Sequence, residues 1–335
     1  MSLSEAEVKS ICADLLNTEV DDIEFPGGSS RESVRVRLAG KGLIVTRRKN
    51  LQRARLESGV LRILNQHNAP VPHLIAYRDN YLIQQDVGSN RLTQTLNTGS
   101  KKEVLTLLES ALGSLHLIHQ VGKNSKPLQS ITTLGKDSKW LGSFVRSAER
   151  LGSRLNLPAP VLPFDKLAML LDVEQPCFIK WDARPGNAVV RESGKVIWID
   201  WEHCGKRHPL DDVAWLLSDE YTPHLEELED ALIAKILPSF AHGYSQSRAQ
   251  EYLSVYGTMH ACIRLEMILR YQEKNGWWDY AYCLEFDKVG VVHELAIRVC
   301  QRASRWSQNS TLTRSLSPWL DELIPVLQKR GRRKF

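Results

Sequence analysis

Apolar positions recur along this chain with two different periods. "VRVRLAG" (34–40) and "KGLIVTR" (41–47) alternate apolar and polar residues around an Ala-Gly-Lys-Gly turn, the pattern of an antiparallel hairpin. "APVPHLIAY" and "NYLIQQDVG" predict two further strands, the second ending at Gly88. Between the hairpin and those strands, Leu56, Val60, Ile63 and Leu64 share one helical stripe with Glu57 off it. Ser4 and Glu7 have capping-box spacing, which predicts an opening helix through about Leu16. Beyond Gly88 the period becomes helical, from "VLTLLESALGSLHLIHQV" to the long stretch after about Ala249, and only "FIKW", "NAVVRE" and "KVIWID" read as strands. The expected fold is α+β: a small β-rich part (1–88) with one inserted helix, then a large, mostly helical part (89–335).

Within the helical part, "FIKWDARPGNAVV" (178–190) breaks the pattern. A strand stops at Asp182, turns through Arg-Pro-Gly-Asn, resumes as "AVV" and turns again at "ESG". The second arm, "KVIWID", delivers Asp200 near Asp182 and Asn187. Two carboxylates and an amide brought together suggest chemistry.

Composition narrows the classes. With 335 residues, 42% apolar and 25% charged, the chain suits one two-lobed enzyme and not a disordered segment. The N-terminus is acidic where a signal peptide is apolar, and no stretch nears the ~20 apolar residues of a membrane span, so a cytoplasmic protein without a membrane partner is expected. Six cysteines form no CxxC pair and no zinc spacing, and read as buried thiols. The net charge of +5 rests on five basic residues in the last seven positions, a tail that carries no functional weight. A second basic run, 35–55, holds eight Lys or Arg and no acid. Its neighbour "PGGSS" favours a bound phosphate over nucleic acid.

Phosphoryl transfer from ATP needs backbone amides and a cation on the phosphates, an acid and an amide for Mg²⁺, and a base near the acceptor hydroxyl. Asp182 and Asn187 have the D-x-x-x-x-N spacing of a kinase catalytic loop, with Asp200 thirteen residues on. "WDARPGNAVV", "VIWIDWEHCG" and "HPLDDVAWLL" together resemble the signature of the aminoglycoside phosphotransferase and choline kinase superfamily, which has a protein-kinase-like fold. The resemblance implies ATP and Mg²⁺ as cofactors, with Asp182 as catalytic base and Arg184 beside the transferring group. It implies Asn187 and Asp200 as metal ligands. Gly27, Gly28, Ser29 and Ser30 match the phosphate-covering loop, and Arg47 in "LIVTRR" matches the strand cation that pairs with Glu57. Arg48 is the alternative register. The backbone of Gln85 to Val87 matches the hinge that holds adenine.

Lys180 departs from the pattern, standing where relatives usually have His, which puts the packing of the loop in question. Glu202 reads either as a metal ligand or as its support. Asp212 reads as a helix cap that braces the loop, and His116 and His119 as core or surface residues. Trp277, Trp278, Tyr280 and Tyr282, with Asp279 and Glu285, are either packing or a cage for a cationic substrate. Nothing resembling an "APE" segment follows "IDWE", which argues against protein substrates. The implied function is ATP-dependent phosphorylation of a hydroxyl on a small, amine-bearing molecule. A nucleotide-binding pseudokinase is the alternative. The oligomeric state is open.

Overall fold

The computed structural model describes residues 3–26 and 32–331. Helix α1 (Glu5–Leu16) begins at Ser4, whose hydroxyl accepts from Glu7 N at 3.2 Å. The carboxylate of Glu7 does not close the capping box. It is taken instead by Arg47 at 2.7 Å and by the Tyr81 hydroxyl.

Five strands follow: β1 (Asp22–Glu24), β2 (Ser33–Leu38), β3 (Lys41–Arg47), β4 (Leu74–Arg78) and β5 (Tyr81–Gln85). They form one antiparallel sheet in the order β1-β2-β3-β5-β4. The β2–β3 hairpin pairs Val34 with Val45 and Val36 with Leu43, so the alternating pattern puts Val34, Val36, Val45 and Ile83 into one cluster with Val8, Ile11 and Cys12 of α1. Helix α2 (Leu51–Gln66) lies between β3 and β4, and its Ala54, Val60, Leu61 and Leu64 join the main core. Glu57, off the apolar stripe in sequence, is fully buried in the structure.

The remainder is helical apart from short strands. Helices α3 (Leu92–Thr98), α4 (Lys101–Asn124), α5 (Lys126–Gln129), α6 (Ser138–Val145), α7 (Ser147–Leu155) and α8 (Phe164–Leu171) precede β6 (Cys177–Ile179). A 3₁₀ turn (Pro185–Asn187) leads into β7 (Ala188–Val190), β8 (Val196–Trp198) and β9 (Gly205–Arg207). Helices α9 (Pro209–Leu217), α10 (Glu227–Phe240), α11 (Gln246–Asn275), α12 (Tyr280–Glu285), α13 (His293–Ser307) and α14 (Leu316–Gly331) complete the chain. Helix α11 packs on α7, α9 and α13, so its middle is buried on every side and shows no one-sided apolar stripe.

Three hydrogen bonds fix the β7–β8 hairpin on α4: Ser110 Oγ donates to Gly194 O (2.9 Å), Ser114 Oγ to Val196 O (2.8 Å) and Trp198 Nε1 to Ala111 O (3.2 Å). A fourth, Trp198 N to Pro70 O (2.9 Å), reaches the segment between α2 and β4. The hairpin is therefore anchored to both parts of the molecule. No helix among the described residues is long and apolar enough to cross a membrane.

Candidate active site

The loop after β6 is held at its root by one carboxylate. Asp212, fully buried in α9, accepts from Lys180 N through Oδ2 and from Trp181 N through Oδ1, both at 2.8 Å. His119 Nε2 completes its shell at 2.8 Å. Asp212 thus braces the loop but does not cap its helix; the cap is His208, whose Nδ1 accepts from Leu210 N. The bracing matters because Trp181 (φ 53°) and Asp182 (φ 54°) both sit in the left-handed region. For non-glycine residues that conformation costs ~1–2 kcal/mol each and persists only where neighbours impose it.

Asn187 Nδ2 donates to both the carbonyl (3.0 Å) and Oδ2 (2.9 Å) of Asp182. Antiparallel pairing of β7 with β8 then brings the chain back, Ile199 N donates to Asn187 O at 2.9 Å, and Asp200 follows at φ 62°. Asp182, Asn187 and Asp200 meet at one place.

Lys180 is fully buried, and its Nζ donates to Asp200 O (2.9 Å) and, at 3.4 Å, to Asp182 O. The amine also lies 5.4 Å from the Trp201 ring centroid and 5.9 Å from that of Trp198. Burial pushes its pKa down, and the charges of Asp182, Asp200 and Asp212 act against that shift. The lysine thus ties together the carbonyls of two strained residues, and the loop packs around it without disruption.

The strand cation requires a correction. Glu57 is paired with Arg48, Nε to Oε2 at 2.6 Å and Nη2 to Oε1 at 2.9 Å, and not with Arg47. Arg48 also reaches Asp200 (2.7 Å) and Glu202 (3.0 Å), whereas Arg47 turns to Glu7 on the α1 side. Successive side chains of an extended chain leave on opposite sides, so adjacent arginines must face different partners. Burial works against ionisation of Asp200, but the charges of Arg48, Lys180 and Arg184 prevail and hold its carboxyl below the usual range. Glu202 accepts from Arg48 and, at 3.4 Å, from Arg53.

Arg184 lies 3.6 Å from Asp182 Oδ1 and 3.8 Å from Asp287 Oδ2. Asp287, at φ 45° beyond α12, was not singled out from the sequence, because it stands 105 positions from Asp182 in an unpatterned turn. Gly186 makes room for it, since a Cβ there would collide with the Asp287 carboxylate. Asp219 acts on Arg184 from behind, and burial together with the charge of Glu220 pushes its carboxyl up to about 7. Glu220 itself is paired with Arg264 at 2.5 Å.

Of the aromatic segment, Trp277 parts from the rest, whereas Trp278 shares a cluster with Tyr280 and has its ring 6.5 Å from that of Tyr282. Trp277 packs on the main core with its ring 5.9 Å from that of His293, while Trp278 joins Tyr221, Cys283, Val292 and Leu295. The Tyr280 hydroxyl donates to Asn97 Oδ1, and Asp279 caps α12 by accepting from Tyr282 N. At the hinge, Gln85 N donates to His73 O and Val87 O accepts from Arg191 Nη1, at 2.8 and 2.7 Å. Gly27, Gly28, Ser29 and Ser30 lie outside the described residues.

A five-stranded antiparallel sheet with one inserted helix, a buried Arg–Glu pair at the end of its third strand, and an Asp–Asn loop followed by a second Asp together define a protein-kinase-like phosphotransferase. A sequence profile described as the phosphotransferase enzyme family matches residues 22–251. The chain belongs to that family. Among solved structures it is similar to a Ralstonia eutropha protein assigned as an aminoglycoside phosphotransferase, with TM-score 0.56, 15% identity, and 90% of this chain and 98% of that one covered. It is similar also to the spectinomycin phosphotransferase APH(9)-Ia in complex with ADP and spectinomycin, at TM-score 0.55, 11% identity, and coverage of 89% and 99%. A third is APH(2")-IIa in complex with gentamicin, at TM-score 0.53, 15% identity, and coverage of 90% and 97%. At these identities the likeness is one of fold. No curated protein matches the chain in sequence.

Proposed function

We propose that this phosphotransferase transfers the γ-phosphoryl group of ATP to a hydroxyl of a small, amine-bearing molecule. The observation that carries the reading is the setting of Asp182: its Oδ2 and carbonyl are fixed by Asn187, and Oδ1 faces Arg184 beyond hydrogen-bond length. Asp182 accepts the proton of the acceptor hydroxyl as that oxygen bonds to the γ-phosphorus and the bond to ADP breaks. Arg184 balances the charge that develops on the transferring group.

Asn187 spends its Nδ2 on Asp182 and keeps an amide oxygen, and Asp200 is held as an ionised carboxylate. This pair of hard oxygen donors fits Mg²⁺, which is held by one or two carboxylates together with substrate phosphates. Mg²⁺ bound there supplies positive charge to the bridging phosphates. Arg48, oriented by Glu57, meets the α- and β-phosphates. Adenine lies at the hinge from Gln85 to Val87 and uses the N–H of Val87, whose carbonyl is taken. The division between the two lobes follows at Gly88 (φ 106°).

The acceptor's amine is supported by charge. Asp182 and Asp287 both lie against the one guanidinium of Arg184, whereas Asp219 also faces Arg264 and Asp200 is served by Arg48. A cationic group on the acceptor offsets the remaining negative charge. The test is ATP consumption against choline, ethanolamine, thiamine, an amino sugar and an aminoglycoside, beside neutral polyols, with product mass confirmed. Turnover on an amine, lowered at least ~100-fold in Asp182→Asn, is expected. Equal use of neutral polyols would remove the amine from the reading, and no turnover on any compound would leave a nucleotide-binding protein.

A further inference from the structure

Three carboxylates share the guanidinium of Arg48, and they do not share it alike. Nε and Nη2 hold the two oxygens of Glu57 side by side, at 2.6 and 2.9 Å. This bidentate pairing commits one edge of the planar fork to α2 and leaves the other, Nη1 with Nη2, for any further acceptor. On that second edge Nη2 reaches Asp200 Oδ1 at 2.7 Å and Nη1 reaches Glu202 Oε1 at 3.0 Å. The edge that phosphate oxygens need is therefore taken by two side chains of the protein itself.

The two acids have different places to go. Asp200 is the carboxylate that fits Mg²⁺. Glu202 has a second arginine: its Oε2 already lies 3.4 Å from Arg53 Nη1, and Arg53 stands four residues before Glu57, on the same face of α2. The backbone between the two acids is pinned, because Trp201 N donates to Glu57 Oε1 at 3.2 Å and the Trp201 indole is fully buried. The Glu202 side chain is 19% exposed and that of Arg53 48%, against 10% for Arg48. Rotation of one glutamate side chain, with no movement of the chain, thus exchanges a buried cation for an exposed one.

We propose that Glu202 stands in for phosphate at Arg48: it holds Nη1, yields it to a phosphoryl oxygen of the bound nucleotide, and turns then to Arg53. The inference rests on the reading of Arg48 as the phosphate-binding cation. It makes Glu202 a competitor of the nucleotide and Arg53 the residue that draws the competitor away, so that both set nucleotide affinity without touching nucleotide. With Oε1 on Arg48 and Oε2 facing Arg53, Glu202 serves the two arginines and not Mg²⁺. A buried guanidinium with one edge unmet is costly, so the competitor also keeps Arg48 in place.

The test measures ADP affinity of the full chain by calorimetry at fixed ionic strength, once with excess Mg²⁺ and once with EDTA. Glu202→Gln, whose uncharged amide holds Arg48 more weakly, should bind ADP at least ~5-fold more tightly than wild type in both series. Loss of packing does not tighten binding, so this gain is a readout that a merely structural role cannot produce. Glu202→Ala removes the acceptor altogether, should act in the same direction, and stands in if Glu202→Gln misfolds. Arg53→Ala leaves Glu202 on Arg48 and should weaken ADP at least ~3-fold, yet have no effect when added to Glu202→Gln, which separates a role through Glu202 from direct contact with phosphate. Equal or weaker binding by the Glu202 variants would overturn the proposal, and a loss confined to the Mg²⁺ series would make Glu202 a metal ligand instead. An Arg53→Ala effect that persists in the double variant would overturn it as well. A wild-type protein that binds no ADP in either series would sink the phosphotransferase reading itself, and this proposal with it.

Discussion

Replacing Asp212 with Ala deletes the carboxylate that anchors the root of the catalytic loop without touching nucleotide or acceptor. Three donors lose their acceptor together: Lys180 N, Trp181 N and His119 Nε2, each now at 2.8 Å. An orphaned buried donor costs ~1–3 kcal/mol, which gives ~3–9 kcal/mol before relaxation. Relief of the desolvated carboxylate offsets part of this, and breaking a buried charge-bearing network typically costs ~3–5 kcal/mol net. A loss of about 4 kcal/mol in urea denaturation, with an unchanged slope, is the expected result. Turnover should fall further than stability suggests, because Asp212 holds the amides of Lys180 and Trp181 that lead into the left-handed pair Trp181–Asp182. Misplacing a reacting group by ~1 Å costs ~100-fold in rate, whereas ATP affinity should stay within about 3-fold. Asp212→Asn is the graded control: its amide oxygen can serve Lys180 and His119, but its NH₂ opposes the Trp181 N–H, so about half the stability loss is expected. Stability within about 1 kcal/mol of wild type for the alanine variant, or a kcat within about 3-fold, would refute the bracing argument.

Arg48→Ala should raise the KM for ATP at least ~10-fold while Arg47→Ala leaves it within about 2-fold, since only Arg48 is paired with Glu57 and Asp200; steady-state kinetics on both variants decides, and the reverse order would restore Arg47 to the role. Gly186→Ala should displace Asp287 from Arg184 and raise the KM for the acceptor more than that for ATP, which kinetics with both substrates varied will show. Stability should fall in mild acid. His208 and His260 are pushed down to about 3, chiefly by burial, so both stay neutral in the fold while the unfolded chain takes up protons below about 6.5. Their contribution is complete above about pH 6.5 and is lost as pH falls toward 3, at ~1.4 kcal/mol per pH unit for each histidine. Urea midpoints at pH 7 and pH 5 test this, and a His260→Asn variant with the same pH dependence as wild type would contradict it.

Amino-acid order is enough to specify the elements and the chemistry that is local in the chain. Strand alternation marks the β2–β3 hairpin because one face of that sheet is buried, and the run from Asp182 to Asn187 to Asp200 is legible because a loop and a two-stranded hairpin suffice to bring its members together. The family resemblance rests on those same residues. Which side chains meet across elements is settled only when the chain is folded. Arg47 and Arg48 are adjacent and chemically identical, so only the parity of β3 against α1 and α2 assigns Glu7 to one and Glu57 to the other. Glu57 lies off the apolar stripe and yet is buried, because an arginine waits for it there. Lys180, a departure from the family pattern, is accommodated because two carbonyls from φ-positive residues and two indole rings surround its amine. In the aromatic run from Trp277 to Tyr282, Trp277 packs on the main core while Trp278 and Tyr280 share a separate cluster, and the turn beyond α12 brings Asp287 to the catalytic loop. Periodicity records how an element meets the core, and carries no record of which distant charge it meets once there.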